Sequence, residues 1–504
     1  MRSPQHLSRV LVVGRDVELW LVVLALARTL APIGITVLAV ELPSLRTPGE
    51  ILAALPQLEA LHRRIGIRTD ELIALTRGSL SLGQNFELAG PSRSTFFHAW
   101  DRCGEPIDGH EFLHGWLRAS TQGLRVPLEG FSLAATAARN GRMLLAETSF
   151  GLTRRGCHLP AVPYAACLKT LAVRCGVVFH LATAISIEQT VDGTIGAIEL
   201  ENGERLAADL YIDASGPDAV LFGEGLGLRR VAPHPPFGAD RIVTALAPAF
   251  TPPPPFAEVR TGPEGWTALH PTRDATGILH AFRSANTPDH RAVDAARAAA
   301  GAELTQIAIR PVAAGACRAL WSGNCIALGS AGALLDPLHD FDLHVLQLGL
   351  TYLMALLPGT LAFDAERTEF NRALHAHIER LRDFQSAFYT LAPRIGPFWP
   401  PNPPRSATLT HTLATFQASA YLPPREGETL ESDSWYLCLL GLGVRPERWP
   451  STTECIDPNR LNAELDRQLA VIRAEVLAQP TYPAYLNAIA HRDGRTLTAT
   501  ASAP

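Results

Sequence analysis

The chain has 504 residues, of which 47% are hydrophobic and 18% charged, so it is long enough for two or three domains around a large core. Its formal net charge of -5, with no basic run interleaved with aromatic residues, argues against nucleic acid or an anionic membrane as a partner. The amino terminus lacks a signal-peptide pattern and the longest uninterrupted apolar stretch, 19–27, is too short to cross a bilayer, so we expect a cytoplasmic protein. The eight cysteines form no C-x-x-C pair, which favours reduced thiols over disulfides or a zinc site.

The first segment, residues 10–43, is predicted to form a strand, a tight turn, a helix and a second strand. Its sequence is VLVVGRDVELWLVVLALARTLAPIGITVLAVELP. This is the outline of a dinucleotide-binding unit, whose G-x-G-x-x-G fingerprint would begin at Gly14. Asp16 and Leu19 stand where the second and third glycines belong. Glu41 ends the second strand, either as a ribose-binding acid or as a surface acid at a strand end.

The following segments alternate between strands and helices. The pattern predicts a helix at PYAACLKTLAVRC, short strands with turns at VDG and ENG, and an apolar strand at ADLYIDASG. A strand, a small-residue turn and a long buried helix beginning near Leu343 follow, and then a helix at DAERTEFNRALHAHIERLRDFQSAFYTL.

Five segments in the right order resemble the flavin-dependent tryptophan halogenases, a branch of the flavoprotein monooxygenase fold. They are VVGRDVELW, ADLYIDASG, GNCIALGSAGALLDPL, RDFQSAFY with PFW, and SWYLCLLGLGVRP. The resemblance implies an α/β + α fold: an FAD-binding three-layer (Rossmann-like) domain with an inserted antiparallel sheet and a helical C-terminal region. The implied division is 1–230 with 305–360 for the Rossmann-like domain, 231–304 for the inserted sheet, 361–490 for the helical region and 491–504 for a disordered tail.

The resemblance also implies a chemistry. In these enzymes reduced FAD, supplied by a separate flavin reductase, reacts with oxygen and halide to give hypohalous acid, which a lysine and a glutamate use beside an indole. Carried onto this chain, the family's cofactor-binding positions are Gly14, Glu41, Ala184, Gly216, Gly329, Pro337 and Leu338.

Both catalytic positions are substituted. GSLSLGQNF places Ser81 at the position of the family lysine, and DPLHDFD places His339 at that of the glutamate. Lys169 is the only lysine in the chain, and a hydroxyl cannot do amine chemistry.

Other family positions have changed as well. Asp340 and Asp342 bring two carboxylates to the turn where the family holds halide, and they would repel an anion. In the family's W-x-W-x-I-P signature, here WTALHP, Ala268 and His270 replace the second Trp and the Ile. Asp16 puts a charge against the cofactor phosphates, so we expect FAD binding to be weak or lost.

Two residues are predicted to line the former substrate pocket, His98 and Trp435, although each also suits a buried core position. HDFDLH offers metal-ligand residue types, but a polar turn that caps the next helix explains it without a metal. His339 is an alternative general base for altered flavin chemistry.

Three functions therefore remain open. The first is a halogenase-family protein that has lost halogenation and acts as a non-catalytic partner or binding protein, beside an active relative or on an indole-like molecule. The second is an FAD-dependent oxygenase or oxidase acting on an aromatic substrate with His339 as base. The third is an active halogenase, for which only Lys169 could supply the amine.

Overall fold

The computed structural model describes residues 6–492 except 91–92, 233–237, 400–402 and 404. Its strands are, in chain order, β1 (Arg9–Gly14), β2 (Thr36–Glu41), β3 (Ile51–Ala54), β4 (Ser79–Ser81), β5 (Gly83–Leu88), β6 (Ser94–Ala99), β7 (Glu147–Thr148), β8 (Gly151–Leu152), β9 (Gly156–Pro160), β10 (Val178–Leu181), β11 (Ile185–Gln189), β12 (Ile195–Leu200), β13 (Arg205–Leu206), β14 (Leu210–Ala214), β15 (Arg241–Pro248), β16 (Ala257–Gly262), β17 (Gly265–Pro271), β18 (Ala275–Phe282), β19 (Thr305–Pro311), β20 (Gly315–Ala316), β21 (Trp321–Ser322), β22 (Cys325–Ala327) and β23 (Ala333–Leu334).

The helices are α1 (Asp16–Leu30), α2 (Gln57–Arg64), α3 (Thr69–Thr76), α4 (Phe112–Thr121), α5 (Leu133–Arg139), α6 (Ala161–Arg174), α7 (Asp289–Ala300), α8 (Asp342–Ala355), α9 (Asp364–Leu391), α10 (Ala407–Ser419), α11 (Ser432–Gly441), α12 (Pro458–Ala478) and α13 (Tyr482–Arg492). Short 3-10 or π turns cover Ala31–Ile33, Leu128–Phe131, Gly216–Asp218, Val220–Gly225, Gly329–Ala331, Leu338–Asp340 and Ser451–Cys455.

The main sheet is parallel except at one edge. In the described residues its strand order is β10-β2-β1-β14-β22-β21, and only β21 and β22 pair antiparallel. Strand β1 is apolar and buried along nearly its whole length, as a central parallel strand requires. Helix α1 packs against β2 and α6, and it is apolar around nearly its whole circumference because it lies inside the core. The predicted α/β + α architecture is confirmed.

The second sheet is larger than its predicted boundaries. Its order in the described part of the chain is β19-β15-β18-β17-β16-β5-β6, antiparallel except where β16 and β5 run parallel. The segment 231–304 supplies β15 to β18, while β5 and β6 come from far earlier in the chain and β19 begins just after it. Pairing between strands distant in sequence leaves no local signal, which is why the predicted insert ended one strand too early.

The carboxyl-terminal region is helical, and α9 covers the segment predicted from its helical spacing. The long buried helix begins at Asp342, one residue before the predicted start. Of the predicted tail 491–504, residues 491–492 belong to α13 and the others lie outside the described residues. Among the helices that the structure describes, none combines the length and the apolar character needed to cross a membrane.

Asp213, at the end of β14, holds the loop that follows the main sheet. Its carboxylate is completely buried and accepts hydrogen bonds from Ser215 N (3.0 Å), Ser215 Oγ (2.5 Å), Leu221 N (2.9 Å) and Phe222 N (2.8 Å). These bonds satisfy backbone donors that would otherwise be buried without partners. Asp213 is therefore a central support of the segment 215–222, together with the bond from Val220 N to Ser215 Oγ (2.7 Å).

We expect Asp213→Ala to lower the free energy of unfolding by about 3 kcal/mol or more, because several buried donors lose their acceptor at once. Urea unfolding followed by far-UV circular dichroism measures this loss. Asp466→Ala, at an exposed position of α12, is the control and should stay within about 0.5 kcal/mol of the native protein. Equal midpoints for the two variants would contradict this role for Asp213.

Candidate functional site

The turn after β1 keeps one glycine of the fingerprint for a packing reason. A Cβ atom at Gly14 would lie 2.4 Å from the carbonyl oxygen of Ala214 on the neighbouring strand, so no other residue fits. Asp16 adopts a φ of 56°, the left-handed conformation that a glycine would take most easily. Its carboxylate accepts hydrogen bonds from Ser44 Oγ (2.5 Å) and Leu45 N (3.2 Å). An acid of the chain itself thus lies at the amino terminus of α1, where dinucleotide-binding folds place a phosphate.

Leu19, at the position of the third glycine, is fully buried in the main core. A side chain at this position either separates α1 from the sheet or is accommodated by rearrangement. The Leu19 N–H still donates to Arg15 O at 3.1 Å, so the first turn of the helix is intact around it. The leucine is accommodated.

Glu18 occupies the space between the two flavin-contacting turns that the resemblance implies. A Cβ atom at Gly329 would lie 3.3 Å from Glu18 Oε2, and one at Gly216 would lie 3.9 Å from the same oxygen. Ser330 Oγ donates to Glu18 Oε1 at 2.7 Å. The glutamate is only 7% exposed, and burial raises its pKa to about 7 against the opposing effect of Arg46. A buried acid therefore stands where those turns would otherwise face a ligand.

We call the space beside Glu18 and the turns at Gly216 and Gly329 the cleft. A network of charges extends from Glu18 across it. Arg46 Nη2 lies 3.7 Å from Glu18 Oε1, and Arg46 Nη1 donates to Glu50. Arg310 donates twice to the Glu50 carboxylate, at 2.7 and 3.2 Å. Burial alone would raise the pKa of Glu50, but Arg46 and Arg310 hold it below its ordinary value. Glu50 is thus a charged bridge between two arginines.

The remaining space in this cleft is small. One cavity of about 110 Å³ is lined by Gly216, Pro337 and the arginines 15, 46 and 310, and an adjoining one of about 60 Å³ also borders Glu18. Cofactor and ligand pockets usually measure about 300–1,000 Å³. The small volume and the carboxylates of Asp16 and Glu18 are both unfavourable for an anionic dinucleotide such as FAD.

The other predicted cofactor-binding residues lie apart from this cleft or are engaged elsewhere. Glu41 accepts from Trp20 Nε1 at 2.9 Å and from Lys169 Nζ at 2.5 Å, and the Lys169 ammonium also lies 5.1 Å from the centre of a Trp20 ring. Ala184 is exposed in a turn, and its N–H donates to Glu201. Leu338 is fully buried.

The two predicted pocket residues meet in one aromatic cluster. Phe384 on α9 lies between them, with ring centroids 5.7 Å from His98 and 4.9 Å from Trp435. His339 joins the same cluster, 4.8 Å from Phe384 and 5.9 Å from His98. Neither ring nitrogen of His98 has a hydrogen-bond partner among the described residues, and burial lowers its pKa to about 3. A cavity of about 270 Å³ is lined by Trp100, whose ring centroid lies 5.0 Å from that of His98, although the cluster residues themselves do not line it.

His339 is held as a neutral side chain. Its Nδ1 lies 3.2 Å from Gln84 Oε1, an acceptor, so Nδ1 carries the proton and donates. Burial, followed by the proximity of His98, lowers the pKa of His339 well below its ordinary value. A general base works best with a pKa near the working pH, so this environment makes His339 a weak one.

Two of the family departures contact one another. Asp340 Oδ2 accepts from Gln84 Nε2 at 2.9 Å and lies 3.2 Å from His270 Nε2. His339 and Asp340 both have positive φ angles, 68° and 58°, and the Gln84 amide binds both side chains. The changes in WTALHP and DPLHDFD are therefore parts of one hydrogen-bonded unit, not separate losses.

Ser81 and the lone lysine are not brought together. Ser81 is 2% exposed on β4, and its hydroxyl donates to Gly83 O at 2.9 Å. Lys169 stands on α6 beside Trp20 and Phe179, bound to Glu41. Within the described ranges, no three His, Cys, Asp or Glu side chains converge as metal ligands.

The sequence analysis missed the residues that connect these groups. Glu18 could have been recognised from the sequence, because it is an acid inside a mostly apolar helix. Gln84 and Arg310 could not be recognised, because their partners come from distant segments, and the Arg46–Glu50 pair, four residues apart, gave no indication of its contacts with Glu18 and Arg310. A further buried chain runs from Trp266 Nε1 to the Tyr389 hydroxyl (2.8 Å), which donates to Asp336 (2.9 Å), and burial raises the pKa of Asp336 to about 7.

A family model described as tryptophan halogenase matches residues 9–458. The chain belongs to this family. It is 24% identical over 529 aligned residues to tryptophan 7-halogenase RebH of Lentzea aerocolonigenes, covering 92% of this chain and 96% of RebH. With tryptophan 6-halogenase ThaL of Streptomyces albogriseolus it shares 26% identity over 269 residues, 49% of this chain and 48% of ThaL.

Solved structures of the family have the same fold. BrvH, a flavin-dependent halogenase from Brevundimonas sp. BAL3, aligns with a TM-score of 0.90 at 24% identity, over 96% of this chain and 99% of BrvH. Xcc4156, a flavin-dependent halogenase from Xanthomonas campestris, aligns with a TM-score of 0.91 at 23% identity, over 96% and 99% of the two chains. The tertiary fold of this family member is thus preserved across nearly the whole chain.

Glu18 gives the family member a specific pH dependence. Because its folded-state pKa is raised from 4.5 to about 7, its stabilising contribution is fully present below the lower value and is lost as the pH rises through the upper one. Relative to Glu18→Gln, we expect the native protein to lose about 3 kcal/mol of unfolding free energy between about pH 4.5 and pH 8. Urea unfolding at both pH values measures the difference.

Glu199→Gln, at an exposed strand position, serves as the control and should follow the native pH profile. Other buried acids titrate equally in all three proteins, so only the difference between proteins carries the result. Parallel profiles for the native protein and Glu18→Gln would show that Glu18 ionises normally.

Proposed function

We propose that this chain is a non-catalytic member of the tryptophan halogenase family that binds FAD weakly or not at all and works by binding another molecule. The observation that carries this proposal is the cleft filled by the chain's own charges: Asp16 at the helix terminus and Glu18 between the two glycine turns. Relatives with this fold are named as flavin-dependent halogenases, so the cleft is where a flavin would be expected here.

Several charges in the cleft are paired with one another, although Glu18 Oε2 has no hydrogen-bond partner among the described residues. Arg46 and Arg310, two cations that line the cleft, are already bound to Glu50. To admit a dinucleotide, the protein would have to separate buried ion pairs and leave carboxylates beside phosphates. Separating these pairs would cost free energy, which would be subtracted from the binding energy.

The reacting groups support the same conclusion. No amine stands near Ser81 among the described residues, since the lone lysine is bound to Glu41. His339 has a strongly lowered pKa and lies among aromatic rings. Asp340, in the turn where family members hold halide, is bound to Gln84 and His270. The chain retains the fold of a halogenase without groups arranged for its chemistry.

The aromatic cluster is the favoured location for a retained binding role of this kind. A cavity of about 270 Å³ is lined by Trp100, whose ring centroid lies 5.0 Å from that of His98, so the cavity reaches the edge of the buried cluster. An indole-like molecule suits such a surface through ring stacking. An active halogenase relative is the protein partner that this proposal favours, and a flavin reductase would be needed only if flavin binds.

Titration with oxidised and with reduced FAD tests the proposal. We expect no binding of either form by the native protein up to about 100 μM, and recovered binding, at about 10 μM or tighter, in the double variant Asp16→Gly, Glu18→Ala. The physical reason is that this variant removes the carboxylates from the phosphate turn and the cleft while leaving the fold. Flavin fluorescence follows the oxidised form and anaerobic calorimetry the reduced form.

The matched control is Asp192→Asn, Glu199→Ala, which removes the same two charges at exposed positions. Recovery in the cleft variant alone would separate a local effect from weaker overall repulsion of an anionic ligand. Binding by the native protein at low micromolar FAD would overturn the proposal and favour a flavin enzyme with altered catalytic residues.

A further inference from the structure

Another cavity lies away from the cleft, between helix α12, the segment 101–105 and the hairpin formed by β7 and β8. Its volume is about 370 Å³, within the usual range for small-molecule sites of about 300–1,000 Å³. We call it the α12 cavity. Neither the proposed function nor the cleft uses it.

Part of the α12 cavity wall is apolar. Phe131 and Ile472 form its buried side, while Val471 at its edge is 39% exposed. Phe150 and Leu152, in the hairpin above it, are 43% and 72% exposed. Large apolar side chains grouped beside a cavity indicate a surface that a ligand covers.

The polar groups of the cavity favour an anion. Three arginines line it: Arg102, Arg154 and Arg467. Arg154 and Arg467 pair with Glu431 and Glu464, which are not part of the lining.

Arg102 has no carboxylate within 4 Å among the described residues, although the more distant Asp433 acts on it. It is the cation left for a ligand.

The lining holds two acids, Asp101 and Glu105, of which Glu105 is exposed to solvent. The Asp101 carboxylate is turned inward, accepting from Ser132 Oγ (2.5 Å) and Ala134 N (2.8 Å), and burial raises its pKa to about 6. Thr153 contributes a buried hydroxyl without a hydrogen-bond partner in the part of the chain that the structure describes. A ligand oxygen would satisfy it.

We propose that the α12 cavity binds an amphiphilic carboxylate, with its apolar body against Phe131 and Ile472 and its carboxylate beside Arg102. A guanidinium binds a carboxylate through paired N–H donors, and the exposed apolar rim then becomes covered by the ligand body. The site needs no flavin, so it does not depend on the proposed function.

The test uses 4-phenylbutyrate and its uncharged analogue 4-phenylbutyramide as probes, titrated into the full-length protein by calorimetry. We expect the carboxylate to bind at least about tenfold more tightly than the amide. Arg102→Gln should remove most of that preference, whereas Arg473→Gln, at an exposed position of the same helix α12, should not.

A filling variant locates the site. Val471→Trp should weaken binding at least about tenfold by occupying the cavity, while Leu477→Trp, at a 65% exposed position of α12 outside the lining, should leave it unchanged. Both variants change surface-exposed positions, and circular dichroism confirms that each is folded.

Three results would overturn the proposal: no binding of the carboxylate, equal binding of acid and amide, or binding insensitive to Val471→Trp. None of these bears on the FAD titration, so failure here is distinguishable from failure of the proposed function.

Discussion

The pairing of Glu50 with Arg46 and Arg310 is the interaction on which the character of the cleft depends. Each of these charges would be costly to bury alone, and each is stabilised because the others are present. The charge of Glu18 is less well stabilised than that of Glu50, because its contact with Arg46 is longer and its pKa rises to about 7. A site built to receive an anionic ligand from solvent would keep its cations available. Here the chain supplies the counter-charges itself.

The glycine turns that border the cleft keep their conformation for reasons of backbone geometry. Glu18 lies beside Gly216 and Gly329, whose positive φ angles of 79° and 59° are required by the path of the backbone whether or not a ligand is bound. Gly14 is likewise retained because it packs against Ala214. Fold constraints thus preserve part of a cofactor signature independently of the cofactor, and fold likeness alone does not establish the chemistry.

The aromatic cluster and the altered turn show how substitutions combine. His270, Asp340 and Gln84 come from two strands and a turn that are far apart in sequence, but they form one hydrogen-bonded group. His339 is bound to the same glutamine and packs on Phe384. Such a group is stable because every member has a partner, whereas a single one of these polar residues in the same place would be buried without one. The departures from the family are better understood as a rebuilt interior than as scattered losses.

The sequence by itself determined the architecture and the helix boundaries to within a residue or so at α8, because periodicity, turn glycines and motif order are local properties. It also determined that Lys169 is the only lysine of the chain. Tertiary structure alone decided where β19 pairs, that Lys169 binds Glu41, that Leu19 is accommodated, and that Asp340 meets His270. It also revealed the Glu18 cleft and the α12 cavity. Ion pairs and cavities join residues from separate segments, so their energies depend on burial and distance, which only the folded chain defines.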